Sequence, residues 1–256
     1  MRFTDLETAR AARGLRLVVL AGVPSPWSEA ARNVFRLKGL EFLVVRTERP
    51  GDAVRAWTTV HNAPVAMYDD EPPRSGWAEI LALAERLQPD VPLVPADPEA
   101  RCRMYGLSHE LMSEGGLVWC GRLITIDASI KSDGRSGFSV PVARYLASRY
   151  GYAPDRVDAA RDRIAQVFAV LHEQLRRSQQ AGGLYYFGEQ MTALDIYCAA
   201  AMNIFAPLPH EQCPMHPVAR TAFEWLHRET AAALPPALIA HRDFMHERHL
   251  GLPVQL

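Results

Sequence analysis

The chain is short of cysteine, of charge of one sign and of long apolar runs, and each shortage argues something away. Its 256 residues hold four cysteines. These are Cys102, Cys120, Cys198 and Cys213, widely spaced and with no C-x-x-C pair. That argues against a disulfide framework or a dithiol redox motif and for reduced, mostly structural thiols. Twenty-eight Lys and Arg against 29 Asp and Glu leave a net charge of −1. No block of one sign occurs, so neither nucleic acid nor an anionic membrane is indicated as a partner. The apolar runs fall far short of the roughly 20 residues of a membrane span. The opening "MRFTDLETARAARG" is charged throughout and lacks the apolar core of a signal peptide. The expectation is a cytoplasmic globular protein of one large or two modest domains.

What is present alternates in its first third. "LRLVVL" (15–20) suits a strand buried on both faces. Residues 25–39 read as a helix, with Ala30, Val34 and Leu37 at helical spacing and Lys38-Gly39 as its basic last turn and stop. "EFLVVR" (41–46) is a second strand, and the strand–helix–strand order predicts a right-handed crossover and a parallel pair. Residues 47–62 are less regular, anchored by Trp57. "APVAMY" (63–68) is a third strand that ends in a turn at Asp69-Asp70. A fourth would have to lie in Glu71-Pro72-Pro73, at a sheet edge, because proline donates no ladder bond. "SGWAEILALAERL" then sets Trp77, Ile80, Leu81, Ala84 and Leu87 on one helical face, with Ser75 as its expected N-cap.

"QPDVPLVPADP" (88–98) has four prolines and no helical period, as a linker would. Beyond it the pattern is helical. Val157, Ala160, Ile164, Val167, Phe168, Leu171 and Leu175 form one stripe, and 104–130, 192–205, 217–228 and 236–249 are further helix candidates. The expected organisation is an N-terminal extension (1–14), an α/β domain (15–88), a linker (89–98) and an all-α domain (99–256).

Three motifs carry a family resemblance. Ser25-Pro26-Trp27 opens a helix that closes on "RLKGLEF". "NAPVAMYDD" (62–70) is followed by Arg74-Ser75. "YYFGEQMTALDIYCAAAM" (185–202) spaces Thr192 and Asp195 as a capping box, with Met191 and Ile196 as its hydrophobic staple. In this order they resemble the cytosolic glutathione transferase superfamily, in its tau-, zeta- and omega-like branches with serine at the catalytic position. The resemblance covers nearly the whole chain after residue 14. It implies a thioredoxin-like domain followed by an all-helical one, a homodimer, a cis peptide at Pro64, and glutathione as co-substrate without a metal. It assigns Ser25 to the glutathione thiol, and Ala63, Pro64, Arg74 and Ser75 to binding the tripeptide. Ala63 would pair through its backbone with the cysteinyl part, as an added strand does, and Ser75 would meet the γ-glutamyl carboxylate. Trp27, Tyr105, His109 and Met112 are the expected wall of the acceptor pocket. Arg74 departs from the family pattern. It stands where an acid usually helps hold the γ-glutamyl ammonium, and would add charge toward the carboxylate instead.

The magnitudes permit this chemistry. A free thiol has a pKa near 8.5, and lowering it by about two units needs about 2.7 kcal/mol. A charge-assisted hydrogen bond from a hydroxyl contributes about 1.5–3 kcal/mol, and a helix N-terminus about 0.3–1 kcal/mol more. As residues alone, Ser25-Pro26 is equally a complete N-cap with a first-turn proline. Ser28 is the rival hydroxyl, expected against the first turn's backbone. A serine cannot form a mixed disulfide, so thiol addition or substitution is favoured over thiol–disulfide exchange. The expected activity is attack of an activated glutathione thiol on a small, apolar electrophile. The alternatives are a glutathione-dependent lyase, isomerase or dehalogenase, and a binding or structural protein that keeps the fold without the chemistry. Two histidine clusters read as ordinary structure. His210, Cys213 and His216 sit among three prolines with no obvious fourth ligand. His241, His246 and His249 read as a solvated helix face.

Overall fold

The structure, a computed structural model, describes residues 1–48 and 51–256. Two compact units divide the chain between Val94 and Pro95, inside the proline-rich segment, with Leu256 returning to the first.

The first unit is built on a four-stranded sheet of order β1-β3-β2-β4. Its strands are β1 (Arg2–Thr4), β2 (Leu15–Leu20), β3 (Phe42–Thr47) and β4 (Val65–Tyr68), and its helices are α1 (Leu6–Ala11), α2 (Pro26–Leu37), α3 (Asp52–Thr58) and α4 (Trp77–Leu87). β1, β3 and β2 are parallel and β4 is antiparallel. The predicted crossover is α2, which joins β2 to β3. Central β2 is buried at five of its six positions, as its apolar run requires. On one face Val18, Val45, Val65 and Met67 pack with Ala9 of α1 and Val54 of α3. α2 packs on β2 and on α4. The end of α2 is locked by Lys38, which is fully buried. Its Nζ donates to Glu85 Oε1 (2.6 Å) and to the Val91 carbonyl (2.5 Å).

Four local expectations are corrected. Residues 1–14 are an integral strand and helix of this unit, not an extension, with β1 paired along β3. Residues 71–73 form no strand; one bridge, Ala66 to Arg74, replaces it, because two prolines remove two donors. A helix, α3, occupies part of the stretch read as irregular. The N-cap of α4 is Gly76 and not Ser75, its N–H held by Glu79 Oε2 at 3.0 Å.

The second unit comprises α5 (Pro98–Met112), α6 (Leu117–Lys131), α7 (Val140–Tyr150), α8 (Val157–Gln180), α9 (Ala193–Phe205), α10 (Pro217–Thr230) and α11 (Pro236–Met245), which runs into a π-helical turn, His246–Leu250. The helix expected over 104–130 is two helices. At the break, Gly115 has φ +73°, and a Cβ on Gly116 would lie 2.6 Å from the Glu110 carbonyl oxygen. Every residue of α9 is buried, packed by α5, α10 and α11, as a helix apolar on all sides must be.

The capping box at the start of α9 is present and carries more than a cap. Asp195 Oδ2 accepts the Thr192 N–H (2.8 Å) and hydroxyl (2.9 Å). Its Oδ1 accepts the Tyr186 N–H (3.0 Å) and meets His241 Nε2 at 2.9 Å. The solvated reading of the C-terminal histidines is therefore overturned. His241 and His246 are buried, because α11 packs on α9. His246 Nε2 lies 3.1 Å from Asn203 Oδ1, and His249 Nε2 lies 2.7 Å from the Tyr185 hydroxyl.

Candidate functional site

The C-terminal end of β2 gathers the residues singled out in the first unit. The chain leaves Leu20, turns through Gly22 at φ +69°, and enters α2 with Ser25 as N-cap and Pro26 in the first turn. Ser25 is only 2% exposed, and its N–H is bonded to the Val23 carbonyl at 2.8 Å. Its backbone carbonyl accepts from Glu29, but its side chain makes no capping bond. The local structure thus uses the Ser25 backbone and leaves the hydroxyl out of the cap. Ser28 differs: its Oγ accepts the Leu20 N–H at 3.2 Å, tying helix to strand. That bond is to the end of the strand, not to the first turn as expected.

β4 brings the second segment to the same end of the sheet. Val65 is in register with Val18, so Ala63 and Pro64 lie beyond the last β2–β4 pair, on the side toward Leu20. The Ala63–Pro64 peptide is cis. Among the described residues the Ala63 backbone pairs with no strand. The chain then reverses, and Arg74 bonds Ala66 in both directions (2.8 and 3.0 Å). This antiparallel step carries Ser75 and Gly76 back toward the Pro64 end. Because Gly76 and Glu79 cap α4, the half-buried Ser75 is relieved of the capping role assigned to it.

Arg74 is turned elsewhere. Its guanidinium pairs with Glu71 Oε2 at 2.5 Å, and Arg86 pairs with the same carboxylate at 2.6 Å. These two cations hold the Glu71 pKa below the ordinary carboxylate range. The charge expected to reach a ligand carboxylate is already neutralised within the β4–α4 connection.

A buried ion pair on α2 was not anticipated. Glu29 and Arg32 are 5% and 6% exposed and 2.5 Å apart. Burial pushes the Glu29 carboxyl up to about 7 against the opposing pull of Arg32. The signal was in the spacing: Glu29 and Arg32 stand four and seven positions after Ser25, on the same side of the helix. Trp27, at the second helical position, is half-buried. The other residues assigned to the acceptor wall lie in the second unit, on α5. Tyr105 is half-buried, His109 exposed and Met112 buried.

Among the described residues no group of three or more His, Cys, Asp or Glu side chains is arranged to hold a metal, and no helix is long and apolar enough to cross a membrane. All four cysteines are free, and only Cys102 is exposed. Burial raises the Cys120 thiol to about 11 and Cys198 to about 12, so neither is a nucleophile near neutrality.

No family model and no curated protein sequence matches the chain. Solved structures match its fold over nearly its whole length. A glutathione S-transferase from Methylobacterium radiotolerans, in complex with glutathione sulfonate, is 19% identical over 92% of each chain, with a TM-score of 0.59. Glutathione transferase Omega 3C from Trametes versicolor is 15% identical over 95% of this chain and 90% of its own, at 0.60. A beta-etherase from Sphingobium sp. strain SYK-6 is 19% identical over 91% and 100%, at 0.56. The chain has the glutathione transferase fold: a thioredoxin-like unit followed by a helical one.

Proposed function

We propose that this chain, folded as the glutathione transferases are, binds glutathione at the Ser25 end of the sheet and activates its thiol. The observation that carries the reading is an N-cap serine whose side chain does not cap, set at the sheet end that also holds cis-Pro64 and Ser75. In this reading the Ser25 hydroxyl donates to the glutathione sulfur. The thiol proton leaves to solvent, and the thiolate attacks an electrophilic carbon of a small apolar acceptor. A C–S bond forms, and either the leaving group departs with its electron pair or, in an addition, the acceptor takes up a proton. Burial strengthens the hydrogen bond, since little water competes for it. The unpaired backbone of Ala63 suits the cysteinyl part of the tripeptide, which would pair there as a short strand. Ser75 suits the γ-glutamyl carboxylate. The salt bridge of Arg74 to Glu71 removes Arg74 from that role. Trp27, Tyr105, His109 and Met112 remain the proposed acceptor contacts, and a homodimer the proposed assembly.

Calorimetry with glutathione, together with the thiolate's ultraviolet absorbance across pH, tests the proposal. The wild type is expected to bind glutathione and to lower the thiol pKa by about two units. Ser25→Ala should keep most of the binding, return the pKa to near 8.5 and reduce turnover about a hundredfold below that pH. Absence of glutathione binding overturns the site, and equal turnover in Ser25→Ala overturns the role of the hydroxyl. A panel of aryl halides, epoxides, enones, aryl ethers and isomerisable keto-acids separates transfer from lyase, dehalogenase and isomerase chemistry.

A further inference from the structure

The polar stripe of α2 has no role in the chemistry proposed at Ser25. Ser25, Glu29, Arg32 and Arg36 recur at helical spacing and share one side of the helix. Glu29 and Arg32 are buried and Arg36 is half-buried. Charges so placed cost free energy that apolar side chains of similar size would not.

The stripe is ordered around Glu29. Arg32 lies three residues further along, yet its Nη2 reaches back to Glu29 Oε2 at 2.5 Å, which sets the guanidinium beside the carboxyl. Glu29 stands one turn, about 6 Å, beyond Ser25, and its N–H donates to the Ser25 carbonyl at 2.8 Å. Only Oε2 of the carboxyl is engaged. Oε1 accepts no hydrogen bond among the described residues, so it has room for a proton. Burial raises this carboxyl to about 7 against the pull of Arg32 and Arg36, and it changes charge where a bound thiol would ionise. The charges of the elements packed on α2 are engaged elsewhere. On α4, Glu79 holds the Gly76 N–H, Glu85 holds Lys38 and Arg86 holds Glu71. On β2, Arg16 donates to the carbonyls of Gly14 and Asp69.

Building on the Ser25 reading, we propose that Glu29 takes up a proton as bound glutathione loses one, so that the Arg32 charge serves the thiolate. The S–H bond breaks, an O–H bond forms at Glu29, both protons exchange with solvent, and no electron is transferred. Glu29 is here a positioning residue that acts through Arg32 and touches neither sulfur nor acceptor. Two anions compete for one buried cation. By linkage the thiolate raises the proton affinity of Glu29 as much as the Glu29 carboxylate raises that of the thiol. For buried charges so close, about one pKa unit each way is the expected size.

Counting protons tests it: calorimetry of glutathione binding to the full chain at pH 7.5, in buffers of different ionisation enthalpy. The wild type should release only about 0.3 proton per glutathione, because Glu29 recovers part of what the thiol loses. Glu29→Gln, which keeps the shape but cannot take up a proton, should release about 0.8. Ultraviolet titration of the bound thiolate supplies a second reading. Arg32→Gln should raise the thiol pKa by about one unit, whereas Glu29→Gln should leave it equal or lower. Near-ultraviolet circular dichroism verifies native packing, and the isosteric Glu29→Gln carries the test even where Arg32→Gln fails to fold. Glutathione binding with the same proton release in wild type and Glu29→Gln overturns this proposal alone, as does an unmoved thiol pKa in a folded Arg32→Gln. Absence of glutathione binding by the wild type overturns the Ser25 reading and this proposal with it.

Discussion

Two helices of this protein begin at a buried hydroxyl residue, and the two beginnings are built for different ends. At α9, Thr192 is 4% exposed. Its N–H and its hydroxyl both go to Asp195, whose other oxygen serves Tyr186 and His241. At α2, Ser25 is buried as deeply, yet its hydroxyl stays out of the cap. Burial and residue type are nearly the same at both places, so neither tells a structural cap from a candidate ligand contact. The destination of the hydroxyl does. A cap whose acceptors are all engaged holds the fold, and a cap left idle is available to something else.

The contrast can be broken most forcefully at α9. Asp195→Ala would leave the buried Tyr186 and Thr192 N–H groups and His241 without their acceptor. The second unit should lose about 3–5 kcal/mol, read as a lowered urea midpoint by far-ultraviolet circular dichroism. A loss below about 1 kcal/mol would mean that the network is ornamental. Acid should find the same region. Burial, and then the charge of Arg242, lower the His246 pKa from 6.5 to about 4. The folded state thus binds fewer protons than the unfolded one between those values. The associated stability is complete above pH 6.5 and is lost as pH falls through 4, up to about 3 kcal/mol. His246→Gln should flatten that part of the stability–pH curve, and an unchanged slope would assign the acid sensitivity elsewhere. The smallest expected effect is the most discriminating. Ser25→Ala should alter stability by less than about 0.5 kcal/mol, where removal of a working cap typically costs about 1 kcal/mol. A loss of 1 kcal/mol or more would show Ser25 to be as structural as Thr192.

Much of this frame was legible because it rests on local chemistry. The β2–α2–β3 order and the box at Thr192 and Asp195 were readable from short patterns, whereas the cis bond at Pro64 was expected only from the family resemblance. What escaped was either too short to show a period or decided by distant packing. β1 has three residues and α3 seven, less than two helical turns. Ser75 looked like a cap, but the glycine after it, with Glu79 three residues on, makes the better one. The C-terminal histidines looked solvated because Arg242, Glu247 and Arg248 surround them; only the packing of α11 on α9 turns two of them inward. The buried Glu29–Arg32 pair is the same case in the first unit, a polar stripe at helical spacing that reads as surface until the helix is packed.

The rims of the sheet carry one more consequence. β1 lies along β3 on one side, three residues long. On the other, β4 meets a single bridge at Arg74, preceded by Pro72 and Pro73, which have no N–H to offer. An invading strand from another molecule finds a short ledge at one margin and missing donors at the other. The fold is thereby guarded against fibril-like stacking, a hazard for any small sheet with open margins.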